Sequence, residues 1–256
     1  MENPVRHRRF AVAAVSLLLL SGVSPAFVPR AVATEPAPTA NGQGDLVVVG
    51  DSLMEGAAVF GALRAQLVKL NVWTSVTVDY RRGRKTSEAY GTVSRRLAAA
   101  RHPTALVIAL GTNDMISHSE PSWPARVIER MMTEAAGLPV LWVNTTFNGA
   151  VHPDWRIRAS RFNRALRSAR AQWPNLYVAD WSAFFVPKGP SRFIADGVHL
   201  TVSGYRTRAN WMTGQIRSFA TTVINATTTT SSTTTSTTSS TSSTTTSSTT
   251  VAAPPG

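Results

Sequence analysis

Four short stretches of the chain, residues 46–49, 105–110, 140–143 and 176–179, are nearly uninterrupted apolar runs. A strand with one wet face alternates apolar and polar side chains, so a run without alternation needs cover on both faces, as in a parallel sheet between helices. Val76, Val78 and Tyr80 do alternate with polar residues, which predicts an edge strand. The intervening segments carry apolar residues at helical period: Val59, Leu63, Leu67 and Leu70; Tyr90, Val93, Leu97 and Ala100; Trp155, Ala159, Phe162, Leu166, Ala169 and Trp173; and Tyr205, Ala209, Met212, Ile216 and Phe219. Each stripe can dock one helix on the sheet, and another helix is expected over residues 124–136. Five strands alternating with five helices predict a three-layer α/β/α, doubly wound and mostly parallel sheet, whose ligands sit in loops leaving the carboxyl ends of the strands.

The two ends stand apart from this pattern. Residues 1–33 have a basic start (Arg6, Arg8, Arg9), an apolar stretch over 10–20 and small residues at Ala31-Val32-Ala33, the composition of a cleavable secretory signal. The apolar stretch is short for a bilayer, so no stable membrane insertion is expected after cleavage. Both the general secretory route and, through Arg8-Arg9, the twin-arginine route are open to it. From 227 to 250 all 24 residues are Ser or Thr, and such a tract has nothing apolar to bury. The expected organisation is a signal peptide at 1–33, a linker at 34–44, one domain at 45–222 and a disordered Ser/Thr-rich tail at 223–256, a stalk of the kind that carries O-linked sugars.

The chain contains no cysteine, which excludes disulfides, thiolate zinc sites and cysteine nucleophiles. No pair of histidines stands at metal-ligand spacing, so neither a metal nor a cofactor is expected. Lysine plus arginine number 26 against 14 acidic residues; without residues 1–33 the balance is 22 against 13, or +9. The basic bias therefore belongs to the exported part and favours anionic partners. Export removes nucleic acid from the expected partners and leaves an acidic envelope polymer. Arg156, Arg158, Arg161, Arg164, Arg167 and Arg170 share the side of one helix away from its apolar stripe and read first as a solvated face.

Three motifs fall where strands end. Gly50-Asp51-Ser52-Leu53 follows the first strand and puts a hydroxyl at a strand-to-helix turn, where backbone N–H groups face a developing anion. It is not a G-x-S-x-G elbow, since Met54 stands in place of the second glycine. Gly111-Thr112-Asn113-Asp114 follows the third strand and offers an amide to the same pocket. Asp196-Gly197-Val198-His199 spaces a carboxylate and an imidazole so that one turn lets Asp196 accept from Nδ1–H while Nε2 faces a serine.

Taken together, Gly-Asp-Ser-Leu, Gly-Thr-Asn-Asp and Asp-x-x-His-Leu in this order resemble the SGNH (GDSL) hydrolase family over residues 45–222. The resemblance implies a flavodoxin-like five-stranded sheet and a triad with Ser52 as nucleophile, His199 as base and then acid, and Asp196 orienting the imidazole. It also implies an oxyanion hole from the Ser52 N–H, the Gly83 N–H and the Asn113 side chain, with Gly83 carried by a looser motif. Gly50 to Gly56 is most similar to extracellular bacterial members and to the SGNH domains of envelope O-acyltransferases.

Asp51 and Asp114 read as loop-holding carboxylates, and His152 as a solvated loop histidine near the pocket rim. Trp181, Phe184 and Phe185 are candidates for an acyl or sugar wall, with packing beneath the loop as the alternative. The expectation is a secreted, monomeric serine esterase acting on small acyl esters, O-acetyl on envelope carbohydrate above all. The alternatives are an O-acyltransferase to a sugar, a lipase or thioesterase, and a non-enzymatic binding or adhesion module on a stalk.

Overall fold

The computed structural model describes residues 44–235, with side-chain environments through residue 223. The expected signal peptide, nearly all of the linker and the tail beyond 235 lie outside the described residues. Strands β1 (Asp45–Gly50), β2 (Ser75–Tyr80), β3 (Pro103–Ala109), β4 (Val140–Val143) and β5 (Leu176–Ala179) pair in parallel in the order β2-β1-β3-β4-β5. The chain winds outward from β1 to β2, then crosses back to β3 on the other side of β1. The loops after β1 and β3 thus open side by side at the point where the winding reverses, the crevice in which such sheets bind ligands.

Burial on both faces is visible within β1. Leu46 and Val48 pack with α1 (Ser52–Gly61), α2 (Leu63–Lys69) and α8 (Val202–Thr235). Val47 and Val49 pack on the other side with α3 (Thr86–Ala99), α5 (Trp123–Glu134) and α6 (Pro153–Ala169). Two short helices, α4 (Thr112–Ser117) and α7 (Trp181–Phe185), sit in the loops after β3 and β5. Among the described residues no helix is long and apolar enough to cross a membrane.

Three expectations are corrected. The stripe from Val59 to Leu70 is not one helix, because Ala62 turns left-handed at φ 50° and separates α1 from α2. Leu63 and Leu67 reach the core, whereas Val59 is 59% exposed and Phe60 beside it 48%. The second correction concerns β2, an edge strand as expected, whose polar positions are nevertheless covered. Ser75 donates to Asp45 at 2.5 Å, and Asp79 pairs with Arg84 and Arg96 at 2.7 Å each. The third is the domain's end: Val223 is buried in the core, and α8 continues to Thr235, so the tail expected from 223 begins inside a helix. One more apolar turn past Phe219 is enough to carry the docking stripe that far.

The docking of α8 on α1 relies on missing side chains. A Cβ on Gly56 would lie 2.1 Å from a ring carbon of Tyr205, and one on Gly61 2.3 Å from the Cβ of Ala209. The two helix backbones therefore approach more closely than larger residues allow, and α8 is pressed against the helix that carries Ser52.

Candidate active site

Ser52 is the first residue of α1, where a backbone N–H has no acceptor within the helix and faces outward. Asp51 caps that helix, accepting the Leu53 N–H at 2.9 Å, which fixes the turn and aims the Ser52 hydroxyl into the crevice. On the opposite wall, His199 Nε2 lies 2.9 Å from Ser52 Oγ and Nδ1 lies 2.6 Å from Asp196 Oδ2. A carboxylate only accepts, so Nδ1 carries hydrogen and the neutral ring turns its Nε2 lone pair to the serine.

The Asp196 turn is tightly held. Its other oxygen accepts the N–H groups of Val198 and His199, each at 2.9 Å. Gly197 has φ +66°, a left-handed conformation that side chains resist, and its carbonyl accepts the Asn148 N–H at 2.9 Å. Burial alone would push the Asp196 carboxyl up, but the bond from His199 and the two backbone N–H groups outweigh it and hold it below the ordinary carboxylate range. Asp196 thus remains an anion at neutral pH. His152, expected to be solvated, instead stacks on Trp155 with ring centroids 3.7 Å apart and donates from Nε2 to the Asp196 carbonyl at 2.8 Å. The loop after β4 is in this way latched to the turn that carries Asp196 and His199.

Gly83 and Asn113 line the same cavity as Ser52 and His199. Gly83 stands at φ +70° with open space where a Cβ would be, so its backbone is accessible from the crevice. Asn113 Nδ2 donates to the Arg84 carbonyl at 3.2 Å and, at a long 3.4 Å, to Asp51 Oδ2. The second hydrogen is weakly engaged and free to strengthen its bond to a nearby oxyanion. Asp114 accepts from the Thr86 N–H and hydroxyl, each at 2.8 Å, and from the Trp123 indole at 3.0 Å, the loop-holding role expected of it.

Several supporting residues carried no readable signal in the sequence. Arg84 is buried and donates to the Gly50 carbonyl at 3.1 Å and to Asp79 at 2.7 Å, clamping the Gly83 turn onto the end of β1. Close enough to act on Asp51 by charge, Arg208 is 2% exposed with its guanidinium carbon 4.8 Å from the Trp181 ring centroid. Burial raises the Asp51 carboxyl to about 6, against the pull of the Arg208 charge, the Leu53 and Met54 N–H groups and the Thr112 hydroxyl. Burial likewise lowers Arg208 to about 10, against the charges of Asp51 and Tyr205.

The cavity over Ser52 measures about 580 Å³. Its apolar wall comes from Val59, Phe60, Ile194, Val202 and Tyr205, with the Phe60 and Tyr205 rings stacked 5.6 Å apart. Glu55 and Arg82 form a two-pronged ion pair at its mouth, at 2.7 and 2.9 Å. Trp181 and Phe185 are not part of this wall. They are fully buried and pack with Phe184, Trp211 and Phe193 beneath the loop. Val59 and Phe60, left exposed beside the break at Ala62, are part of this wall.

A family model described as GDSL-like lipase/acylhydrolase matches residues 48–207, a span that holds Ser52, Gly83, Asn113, Asp196 and His199. The chain belongs to this family. Among GDSL relatives, YrhL of Bacillus subtilis (strain 168), provisionally named a peptidoglycan O-acetyltransferase, is 28% identical over 174 residues. That match takes in 68% of this chain but only 23% of the relative, so the chain spans about a quarter of YrhL's length. Of solved structures, a lipase/acylhydrolase from Enterococcus faecalis is similar with a TM-score of 0.58 at 20% identity, covering 68% of this chain and 96% of the other. The C-terminal catalytic domain of Streptococcus pneumoniae peptidoglycan O-acetyltransferase A gives 0.55 at 17% identity, covering 71% and 95%. At these identities the structures establish the shared SGNH fold.

Proposed function

We propose that the protein is a secreted serine esterase that removes small acyl groups, acetyl foremost, from envelope carbohydrate. The observation that carries this reading is the unbroken relay from Asp196 through His199 to Ser52, at 2.6 and 2.9 Å. In the reaction, Ser52 Oγ attacks the ester carbonyl as its proton passes to His199 Nε2, and the imidazolium is stabilised by the Asp196 carboxylate. The oxyanion is met by the Ser52 and Gly83 N–H groups and the Asn113 amide. His199 returns the proton to the departing sugar hydroxyl, leaving acyl-Ser52. Water, deprotonated by the same ring, then releases the carboxylic acid and restores the serine.

Acetyl on sugar is supported by three features. The relatives named above include peptidoglycan O-acetyltransferases. The cavity is open, with an aromatic pair at its wall on which a sugar face can stack. Residues 1–33 have the composition of an export signal. The names of those relatives also favour a second reading, transfer of the acetyl group to a sugar hydroxyl in place of water, since both acceptors compete for one acyl-enzyme. A fluorophosphonate probe should label the wild-type protein and not Ser52→Ala. Ser52→Ala and His199→Ala should each lower kcat on a chromogenic acetyl ester by at least about 10³-fold. Full activity in Ser52→Ala would end the proposal, and acetylated product with a glycan acceptor would replace hydrolysis by transfer.

A further inference from the structure

The arginines of α6 are not a uniform solvated face. Arg158 donates to the Met115 and Ile116 carbonyls at 3.3 and 3.4 Å, and Arg161 to the Ser119 carbonyl at 3.1 Å. Arg158 thus closes the C-terminal end of α4, whose last carbonyls lack helical partners, and Arg161 holds the loop just past it. Arg156, Arg164 and Arg167 do something else. They stand at i, i+8 and i+11 on one face of α6 and line a groove of about 380 Å³ against α7 and the turn after it. Among the described residues Arg164 has no bonded partner. Arg167 stands 3.7 Å from Asp180, beyond hydrogen-bond length, and Arg156 spends one N–H on the Phe147 carbonyl at 3.4 Å. Asp180, the single carboxylate in the groove, accepts through Oδ1 from Asn144 at 2.7 Å and from the Ala183 N–H at 2.9 Å, and turns Oδ2 toward Arg167. Three guanidiniums therefore face one engaged carboxylate, an excess of positive charge with unused donors.

The groove's position gives this charge a use. Asp180 directly follows β5, and Asn163 on α6 donates to the Thr145 carbonyl just past β4, so the groove opens at the same end of the sheet as Ser52. From β5 to β1 is three strand spacings, about 14 Å. The loop between them is the one latched to the catalytic turn through His152 and Asn148. A polymer seated in the groove can run over that loop and present its next units to the serine.

We infer that the groove between α6 and α7, lined by Arg156, Arg164 and Arg167, is an accessory subsite for a polysaccharide bearing carboxylates along its length. Guanidinium forks match planar carboxylates with paired hydrogen bonds, and a row of them matches a repeating charge. That the occupant is a polysaccharide rests on the esterase reading; that the groove takes an anionic chain rests on its own charge and geometry. The two are separated by measuring binding apart from turnover. Ser52→Ala and wild-type protein, full chain in each case, are titrated with polygalacturonate, with neutral dextran and with a poly(glycerol phosphate), from about 20 to about 300 mM NaCl. The Arg164→Gln/Arg167→Gln variant is titrated alongside and assayed on a chromogenic acetyl ester. The expected result is binding of polygalacturonate by both catalytically intact and Ser52→Ala protein. The affinity should fall about tenfold or more in the double variant and on raising the salt, while small-ester turnover stays at the wild-type rate. Equal binding by the double variant, equal binding of dextran, or preference for the phosphate polymer each overturns the inference. Intact binding by a protein that cleaves no ester would remove the esterase reading and leave the groove standing.

Discussion

Asp51→Asn isolates the thermodynamic effect of burying the carboxylate that caps α1 beside Ser52. Asp51 is 1% exposed, and burial raises its carboxyl from 3.8 to about 6 despite the Arg208 charge and the N–H groups that favour the anion. Between those two values the unfolded chain has released this proton while the native protein keeps it. The native state then binds more protons than the unfolded one, so stability falls as pH rises through the interval and levels off above about 6. The gap is worth about 3 kcal/mol at 1.36 kcal/mol per pH unit. Asparagine retains the oxygen that caps α1 at the Leu53 N–H but does not titrate. The difference in unfolding free energy, wild type minus Asp51→Asn, should therefore decrease by about 3 kcal/mol from about pH 3.5 to about pH 7, whatever its offset. Urea unfolding of both proteins across that range measures it directly. A difference that stays flat, or that grows with pH, would refute the argument and mean that Arg208 and the local N–H groups compensate the burial fully.

Asn113→Ala should lower kcat on an acetyl ester by on the order of 10²-fold with little change in KM, since the amide acts on the oxyanion; an unchanged kcat removes it from the hole. Gly56→Ala forces a methyl 2.1 Å from the Tyr205 ring and should cost about 1–3 kcal/mol, read as a lower Tm; an unaltered Tm would mean α8 yields freely. Phe60→Ala removes an exposed ring from the cavity wall and should change stability by less than about 0.5 kcal/mol while raising KM for a glycan ester; the reverse pattern would make Phe60 a packing residue.

The sheet was legible because β1, β3, β4 and β5 are apolar over nearly all of their length, a pattern that an amphipathic element cannot produce. The three short motifs that hold Ser52, Asn113, Asp196 and His199 were legible; adjoining loops after β1 and β3 bring Ser52 and Asn113 to one cavity, and the turn before α8 adds His199, with Asp196 bonded behind it. The cavity wall was not legible. Ala62 itself takes the left-handed turn while Gly61 before it stays helical, so Val59 read as core although it lines the cavity. Trp181 and Phe185 failed in the opposite direction, since an aromatic residue in a loop gives no indication of whether it points to solvent or inward. Arg84 and Arg208 were hidden for a third reason: an arginine in sequence looks solvated until a specific carbonyl, carboxylate or ring is placed beside it.

The serine and its base are 147 residues apart, and they are supplied by the opening and closing elements of the domain. A chain emerging in order of synthesis displays the hydroxyl early and acquires the imidazole only near the end, on the turn that leads into the last helix. Until Tyr205 and Ala209 settle over Gly56 and Gly61, the two halves of the reaction have no fixed relation. On the proposed esterase reading, chains that end before His199 cleave no ester, and turnover reports that both ends of the domain have come together.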